Sequence, residues 1–157
     1  MTAAASAFAV SRWTSTDRLD ELLALVHEAF AAFEPPSSVL NETIDDIARR
    51  QREGLVLTAE ADGRFIGSVF VARQNDALYL TRLAVSPAWR KQGIGHALVE
   101  AAAGEARAAA LTRLTLRVRQ NLPANRAYFA RLGFVVTGQG LDPGRPSYDA
   151  MERVLGR

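Results

Sequence analysis

The chain has 157 residues, of which 48% are hydrophobic and 23% charged, and its formal net charge is +2 at pH 7. This composition is typical of a globular domain, and the length allows a sizeable core without metal or disulfide support. Because cysteine is absent and only two histidines occur, the sequence argues against a disulfide scaffold, a thiolate nucleophile and a metal cluster.

The charge and hydropathy patterns limit the partners of the chain. Acidic residues are interspersed among the basic ones, so the sequence shows no basic stripe for nucleic acid. No apolar run approaches membrane-spanning length, and the small apolar residues 2–10 have no basic region before them. We therefore predict a cytoplasmic protein without membrane or nucleic-acid partners, which starts as a frayed tail leading into a strand.

The first part of the chain predicts one strand and two helices. Phe8 and Val10 mark a short strand, after which Asp17 opens a helix. The apolar residues of this helix recur at helical spacing, at Leu19, Leu22, Leu23, Val26, Phe30 and Phe33. Two prolines within residues 34–38 end it, and a second helix runs from about residue 41 to a stop at residue 54.

Three strands follow, at residues 55–60, 64–71 and 77–85. The first two are joined by Asp62-Gly63, a strong hairpin signal. In the third strand, Leu78 and Leu80 share one phase whereas Leu83 and Val85 share the other. This change of phase indicates either a bulge near residues 81–82 or a regular strand buried on both faces.

The second part of the chain predicts helix, strand, helix and two strands. The buried face of the third helix is predicted to carry Ile94, Ala97, Leu98, Ala101 and Ala108. Apolar and polar residues alternate over positions 114–119, which predicts a strand with one solvent-exposed face. Pro123 lies near the start of a fourth helix that Gly133 ends. Two strands, 134–137 and 148–155, flank a polar loop at residues 138–147.

The segment Arg90-Lys91-Gln92-Gly93-Ile94-Gly95 joins the third of these strands to the third helix. Two glycines at a strand-to-helix junction let backbone N–H groups close round an anion, most naturally a phosphate. Arg90 and Lys91, the latter the sole lysine, add positive charge. A tight turn without a ligand is the alternative. Leu98 breaks the dinucleotide-binding fingerprint, and no P-loop motif occurs.

The pattern R-x-x-G-x-G, placed after Leu83-Ala84-Val85, resembles the acyl-CoA pyrophosphate loop of the GNAT superfamily of N-acetyltransferases. The element order resembles that family over about residues 8–155. The resemblance implies an α/β fold in a single domain over residues 1–157. Its sheet is mixed and mostly antiparallel, with six to seven strands, and about four helices flank it.

The resemblance also implies acetyl-CoA as the co-substrate, without a metal. A second family pattern, N-x-x-[FY]-[FY]-x-x-x-G-F, matches Asn125 to Phe134 and places Asn125 and Phe129 beside the cofactor arm. Asn125 could equally be a polar residue of an early helical turn, and His96 is either solvated or a phosphate contact. The implied cofactor-binding residues are Leu83, Ala84, Val85, Arg90, Lys91, Gln92, Gly93, Ile94, Gly95, His96, Asn125 and Phe129.

The catalytic residues of one branch of the family do not carry over. The branch that acetylates ribosomal-protein N-termini has a glutamate base, an asparagine and a tyrosine acid at positions held here by Arg117, Leu122 and Phe129. Tyr128 is a candidate general acid, with plain packing as its alternative. A water chain could serve as the base.

Acceptor recognition is expected from two irregular segments, residues 33–39 and 138–147, because loops on a rigid scaffold usually carry recognition. In the first, Glu34 could attract an ammonium group. Tyr79 is a candidate acceptor contact on the strand bordering the implied cleft. Asp142 and Arg145 could serve polar substrates of either sign. The sequence does not name the acceptor.

The function that follows is an acetyl-CoA-dependent N-acetyltransferase, which moves an acetyl group directly to a primary amine of a small molecule, peptide or protein. The lack of cysteine and of a Gly-x-Ser-x-Gly elbow favours direct transfer over a covalent acyl-enzyme. Two alternatives remain open: a non-catalytic acyl-CoA-binding regulatory module, and transfer of a longer acyl group. An edge strand could also pair with a second copy to form a homodimer.

Overall fold

Between residues 7 and 156, the part of the chain that the computed structural model describes, seven strands and four α-helices follow one another. The predicted tail at residues 2–6 lies outside this part. The strands are β1 (Ala9–Arg12), β2 (Leu55–Ala61), β3 (Arg64–Gln74), β4 (Ala77–Val85), β5 (Arg113–Arg119), β6 (Val135–Gly140) and β7 (Tyr148–Val154). The helices are α1 (Leu19–Phe30), α2 (Ile44–Glu53), α3 (Ile94–Ala108) and α4 (Pro123–Arg131).

The strands form one sheet in the order β1-β2-β3-β4-β5-β7-β6. β1 pairs with β2, β5 with β7 and β6 with β7 in antiparallel fashion. β4 and β5 are parallel, with a register that joins Ala77–Tyr79 to residues 113–115. The predicted fold class, a mixed and mostly antiparallel sheet with about four helices, is confirmed.

Two compact units divide the chain. One comprises the residues up to Phe70 together with Arg82–Ala101, and the other comprises Val71–Thr81 together with the chain from Ala102 onward. The prediction of a single domain stays a prediction. Within residues 7–156, none of the helices is both long and apolar enough to cross a membrane.

Local side-chain chemistry sets where the helices of the first unit begin. Arg18, in the left-handed conformation before α1, donates to Glu21 and Glu60 at 2.9 Å and lies 4.0 Å over the ring of Phe65. α2 begins with a capping box, in which the Thr43 side chain accepts from the Asp46 N–H while the Asp46 carboxylate accepts from the Thr43 N–H. The capping box of α2 uses backbone N–H groups that a helix start leaves unpaired, whereas the contacts of Arg18 before α1 are made by its guanidinium.

The core of the first unit combines α1, α2 and the central strands. As predicted, Leu19, Leu22 and Val26 are buried, and Leu25 joins them. Phe33 lies beyond the end of α1 and is only partly buried. Among the residues that the structure describes, the buried members of this cluster are Leu19, Leu22, Leu25, Val26, Val39, Ile47, Val56, Phe65, Phe70 and Ala84.

The buried stripe of α3 differs from the prediction. Ile94 and Leu98 are buried as expected, but Ala108 is exposed and Val99 is fully buried. Six alanines in fifteen residues leave little contrast between the faces of this helix, so the few large apolar residues decide which face turns inward.

The change of phase in β4 corresponds to a real irregularity. Arg82 has φ +53, the left-handed conformation, in the middle of the strand. Ala84 beyond it is buried and Leu83 and Val85 are half-buried, so burial keeps the phase of Leu78 and Leu80 and the irregularity lies in the backbone at Arg82. Of the two alternatives, the irregular strand is therefore correct.

The second unit is centred on β5. Leu114, Leu116 and Val118 are buried while Arg117 between them is exposed, which confirms the predicted alternation. β7 follows β5 over seven residue pairs. Arg113, at the start of β5, lies between two carboxylates and donates to Asp76 and, at 2.6 Å, to Glu152.

β6 ends the strand order and differs from its predicted extent. Val135 and Val136 are 61% and 46% exposed, and a register shift falls between Val136 and Gly138. The strand continues beyond this shift to Gly140, so the loop spans residues 141–147 instead of the predicted 138–147. Pairing with β7 resumes after the shift, and for this reason the glycines do not end the strand.

Gly67 in β3 provides the first testable prediction. A Cβ atom there would lie 2.7 Å from Ile94 Cγ2 and 3.2 Å from the Ala84 carbonyl oxygen. We expect Gly67→Ala to lower the free energy of unfolding by roughly 1–3 kcal/mol, because the start of α3 would have to move. Thermal unfolding measures this change.

Gly104, an exposed residue inside α3, is the matched control for Gly67. A Cβ atom there meets nothing within 4 Å. Alanine has the higher helix propensity by about 0.5–1 kcal/mol, so Gly104→Ala should leave the melting temperature unchanged or raise it. Equal melting temperatures for Gly67→Ala and the unaltered protein would show that the contact is not tight.

Candidate functional site

The segment between β4 and α3 is anchored by its own backbone. The Ser86 N–H donates to the Ile66 carbonyl at 2.8 Å, which ties the end of β4 to β3. A single 3₁₀ turn, Pro87–Trp89, follows, and the Trp89 N–H donates back to the Ser86 carbonyl at 2.8 Å. The loop that leads into α3 therefore starts from a fixed point.

Two residues of that loop have the left-handed conformation, Lys91 with φ +63 and Gly93 with φ +81. Between them, Gln92 donates from its side chain to the Ala88 carbonyl at 3.3 Å. Left-handed residues in such turns direct successive N–H groups into anion-binding concavities. Nothing lies within 4 Å of the position of a Cβ atom on Gly93, so the loop is open there.

The start of α3 adds further backbone donors. The Ala97 N–H donates to the Gly93 carbonyl at 3.0 Å, so the N–H groups at positions 94–96 precede the intrahelical ladder. The positive end of the helix dipole lies at the same place. Buried Ile94 packs against the Gly67 position and holds this end of the helix in place.

The side chains of the loop complete its positive character. Arg90, Lys91 and Gln92 are exposed. His96 is 61% exposed and its Nε2 atom lies 3.6 Å from Glu100 Oε1, along the surface of the helix. Backbone donors, two mobile cations and an open glycine fit a diphosphate group. The structure thus brings the predicted residues 90–95 together, while His96 contacts a carboxylate.

Arg82 and Glu42 form an ion pair that the sequence did not predict. Arg82 Nε donates to Glu42 Oε1, and Arg50 Nε donates to Glu42 Oε2 at 3.0 Å. The side chains of Glu42 and Arg82 are 9% and 14% exposed. The irregularity of β4 was a sequence signal, but nothing in the sequence linked it to a residue 40 positions away.

In the second unit, α4 carries the other predicted cofactor and catalytic residues. Asn125 is exposed in the first turn of the helix, and its N–H donates to the Leu122 carbonyl at 3.1 Å. Tyr128 is half-buried, with its ring centroid 5.2 Å from that of Phe129. Burial raises the pKa of the Tyr128 phenol, so it remains protonated at neutral pH.

Arg117 occupies the position that the resemblance described above pairs with the glutamate base of one branch. Its guanidinium lies 4.4 Å over the ring of Tyr148, and its Nη1 atom is 3.5 Å from Asp142 Oδ2. Asp142, in the loop at residues 141–147, therefore lies beside a cation on β5. A guanidinium has hydrogen-bond donors and no acceptor, so Arg117 does not replace a glutamate base.

The candidate acceptor residues lie in different parts of the chain. Glu34 is exposed in the segment between α1 and α2. Tyr79 is half-buried on β4, where it is paired with Thr115. Among the residues described, no group of three or more histidines, aspartates and glutamates could hold a metal ion.

Asp149 on β7 gives a prediction about acid stability. Its side chain is 3% exposed and accepts from Arg126 Nη1 at 2.7 Å and from Gln120 Nε2 at 3.1 Å. Chiefly through the Arg126 bond, the pKa of this carboxyl lies below its usual range. The stabilisation is present above the unfolded-state pKa, about 3.9, and is lost as the pH falls through the lower folded-state value.

We therefore expect Asp149→Asn to lower the melting temperature at pH 7, and this deficit to shrink as the pH falls below about 4. Thermal unfolding between pH 2 and 7 measures it. Asp142→Asn is the control, because its contact with Arg117 is longer and nearly half-exposed, and such pairs contribute little. A deficit independent of pH would contradict the prediction.

Comparison with known proteins places these features in context. A family model described as the acetyltransferase (GNAT) family matches residues 19–134. The ribosomal-protein-S18-alanine N-acetyltransferase of Escherichia coli is 24% identical with a TM-score of 0.76, and the match covers 96% of each chain. Ard1 of Thermoplasma volcanium is 16% identical with a TM-score of 0.82, over 96% of this chain and 99% of that one.

A third similar structure is the PaiA N-acetyltransferase of Thermoplasma acidophilum, solved in complex with coenzyme A. It is 19% identical with a TM-score of 0.81, and the match covers 95% of this chain and 99% of that one. At these identities the three structures show a shared fold.

Proposed function

The chain belongs to the acetyltransferase (GNAT) family, and from this membership we propose that it is an acetyl-CoA-dependent N-acetyltransferase acting on a primary amine. The amine would belong to a small molecule, a peptide or a protein. One observation carries the proposal: Gly93 is left-handed and open within R-x-x-G-x-G at the start of α3. The coenzyme A complex of the PaiA enzyme supports a coenzyme of the same kind here.

The cofactor-holding role falls to residues of the first unit. The N–H groups of residues 91–96 would bind the diphosphate, with Arg90 and Lys91 neutralising its charge. The backbone of Leu83–Val85 would pair with the pantetheine arm as an added strand does. When bound, acetyl-CoA supplies an acetyl group activated as a thioester.

In the second unit, Tyr128 is proposed to hold the proton that the departing sulfur takes up. Its half-buried phenol, with a raised pKa, is protonated at neutral pH, as a general acid requires. Asn125 and Phe129, on the same helix, are proposed contacts of the cofactor arm. The amine must be neutral to react, and an ordinary lysine-like amine has a pKa near 10.4, so its proton is proposed to leave through water.

Acceptor recognition is proposed for residues 33–39 and for the loop at residues 141–147. Exposed Glu34 would attract a cationic amine, and Tyr79 is a further proposed contact. Arg117 lies 3.5 Å from Asp142, and both side chains are about half-exposed. Arg117 would therefore be able to contact and orient a polar acceptor. These residues favour an acceptor with more than one polar group.

A second candidate, a regulatory module that binds acyl-CoA without transfer, is favoured by Arg117. A stacked guanidinium stands where the compared branch has its base. Loss of the base does not by itself abolish transfer, because water can accept the proton. We therefore rank the enzyme first.

Calorimetric titration with coenzyme A and with acetyl-CoA tests cofactor binding. A thiol-release assay with a panel of primary amines, polyamines and peptides with free N-termini then tests transfer, and mass spectrometry identifies the acetylated product. Propionyl- and longer acyl-CoA thioesters, run in parallel, test the acyl chain. Binding without turnover for every amine would support the regulatory module, and no heat at millimolar coenzyme would end both proposals.

A further inference from the structure

We propose that Glu42 and Arg82 are a positioning pair, which fixes the irregular segment of β4 at residues 81–83 for acyl transfer. The inference rests on the proposed function, because that segment adjoins, and at Leu83 overlaps, the stretch assigned to the pantetheine arm. Neither residue carries a sequence motif, and neither contributes to the diphosphate loop.

Glu42 is held at each of its hydrogen-bonding groups. Its N–H donates to the Val39 carbonyl at 3.0 Å, and its carbonyl accepts from His27 Nε2 at 3.2 Å. One carboxylate oxygen accepts from Arg50 and the other from Arg82. A residue fixed by α1, α2 and the turn between them is a rigid point to which another element can be tied.

Arg82 has a backbone conformation that must be stabilised by its surroundings. Its backbone is left-handed within a strand, a conformation that non-glycine residues keep only where the surroundings hold it. Its guanidinium is largely buried against Glu42. The Arg82 side chain therefore links the irregular point of β4 to Glu42, in the segment that follows α1.

The pair joins two segments to which separate roles are assigned. Glu42 follows the proposed acceptor segment, residues 33–39, by three positions. Arg82 directly precedes Leu83–Val85, the proposed partner of the cofactor arm. Both lie in the first unit, so one contact sets the position of the acceptor segment relative to the strand that presents the thioester.

Stability alone does not account for this pair. A buried ion pair is often no better than apolar residues of the same size, because both charges lose water. Compared with apolar residues, the ion pair has directional hydrogen bonds, which permit only one arrangement of Glu42 relative to Arg82. Small displacements of reacting groups can lower rates by large factors, so a fixed arrangement at this point has catalytic value.

The test compares Glu42→Gln and Arg82→Gly with the unaltered protein. Glutamine keeps the shape of Glu42 but loses its charge, and glycine accepts the left-handed conformation, so the second variant folds without backbone strain. We expect hydrogen exchange of a peptide spanning residues 78–86 to be about tenfold faster and kcat about tenfold lower. The coenzyme A dissociation constant should rise by a smaller factor than kcat falls, because the diphosphate loop keeps its anchors while the stretch paired with the pantetheine arm loosens.

Glu152→Gln is the matched control, since it weakens another arginine pair, that of Arg113 on β5. It should lower the melting temperature without changing kcat or exchange in residues 78–86. The proposal is overturned if Glu42→Gln and Arg82→Gly keep the exchange rate and kcat of the unaltered protein. It is equally overturned if they lose stability alone, as the control does.

The outcome separates this proposal from the proposed function. If the unaltered protein neither binds coenzyme A nor releases thiol, the enzyme assignment fails. Hydrogen exchange then decides by itself whether the pair holds the segment. If the unaltered protein turns over and the variants match it, the enzyme assignment stands and the positioning role is rejected.

Discussion

Replacing Gly93 by valine is expected to weaken coenzyme A binding about 100-fold in a protein that still folds, a difference of ~2.8 kcal/mol. With φ +81, Gly93 has a conformation that a β-branched residue adopts only under strain. The open space around it means that no side-chain clash contributes. Relief of the strain would turn the neighbouring N–H groups away from the diphosphate. Calorimetric titration measures the loss.

Gly63 offers a matched control for this substitution. It has φ +75 in the β2–β3 turn, and a Cβ atom there also meets nothing within 4 Å. Gly63→Val should lower the melting temperature about as much as Gly93→Val does, yet leave coenzyme affinity unchanged. Equal coenzyme affinity in the two variants would show that the loop does not hold the diphosphate.

Replacing Tyr128 by phenylalanine is expected to lower kcat about 100-fold, within the range that general acids contribute, without changing coenzyme affinity. The ring remains and can still pack against Phe129, so only the proton donor is lost. A general acid must be protonated, and the pKa of Tyr128 is raised from an ordinary value of about 10. Activity that depends on this proton is therefore lost only at higher pH, as the pH rises through that raised value.

Tyr128→Leu distinguishes catalysis from packing. If Tyr128 only packs, the phenylalanine variant keeps full kcat and the leucine variant lowers the melting temperature. If it donates the proton, both variants lose turnover, and phenylalanine keeps the stability that leucine lacks. Steady-state kinetics and thermal unfolding on the same preparations separate these results.

The features that the sequence predicted correctly are turns and helix ends, whose conformation depends on residues adjacent in the chain. Asp62 and Gly63 are both left-handed in the predicted hairpin turn, and Gly133, with φ +94, ends α4 as expected. The turn at residues 90–95, for which diphosphate binding is proposed, likewise has its signal in a short motif between a strand and a helix. In each case, one backbone conformation that few residue types adopt leaves a local signal.

Features that depend on distant residues were not predictable. The Glu42–Arg82 pair and the stacking of Arg117 on Tyr148 join residues 40 and 31 positions apart, and no spacing rule links them. The prediction of which α3 residues are buried failed for a different reason, because the many alanines of this helix give neither face a clear preference for the core. The prediction of acceptor contacts went no further than two loops and Tyr79, since recognition depends on side-chain positions that no periodicity fixes.

The break in β6 has a bearing on how the protein behaves at high concentration. A continuous apolar strand at the end of a sheet is a template onto which other chains can add. Here the two exposed valines are followed at once by the register shift and by glycines, which twist the strand out of line. A second chain that paired with β6 would meet two short stretches of strand instead of one long one. The irregular backbone of β6 therefore opposes aggregation through this edge, a role that charged side chains often have in other edge strands.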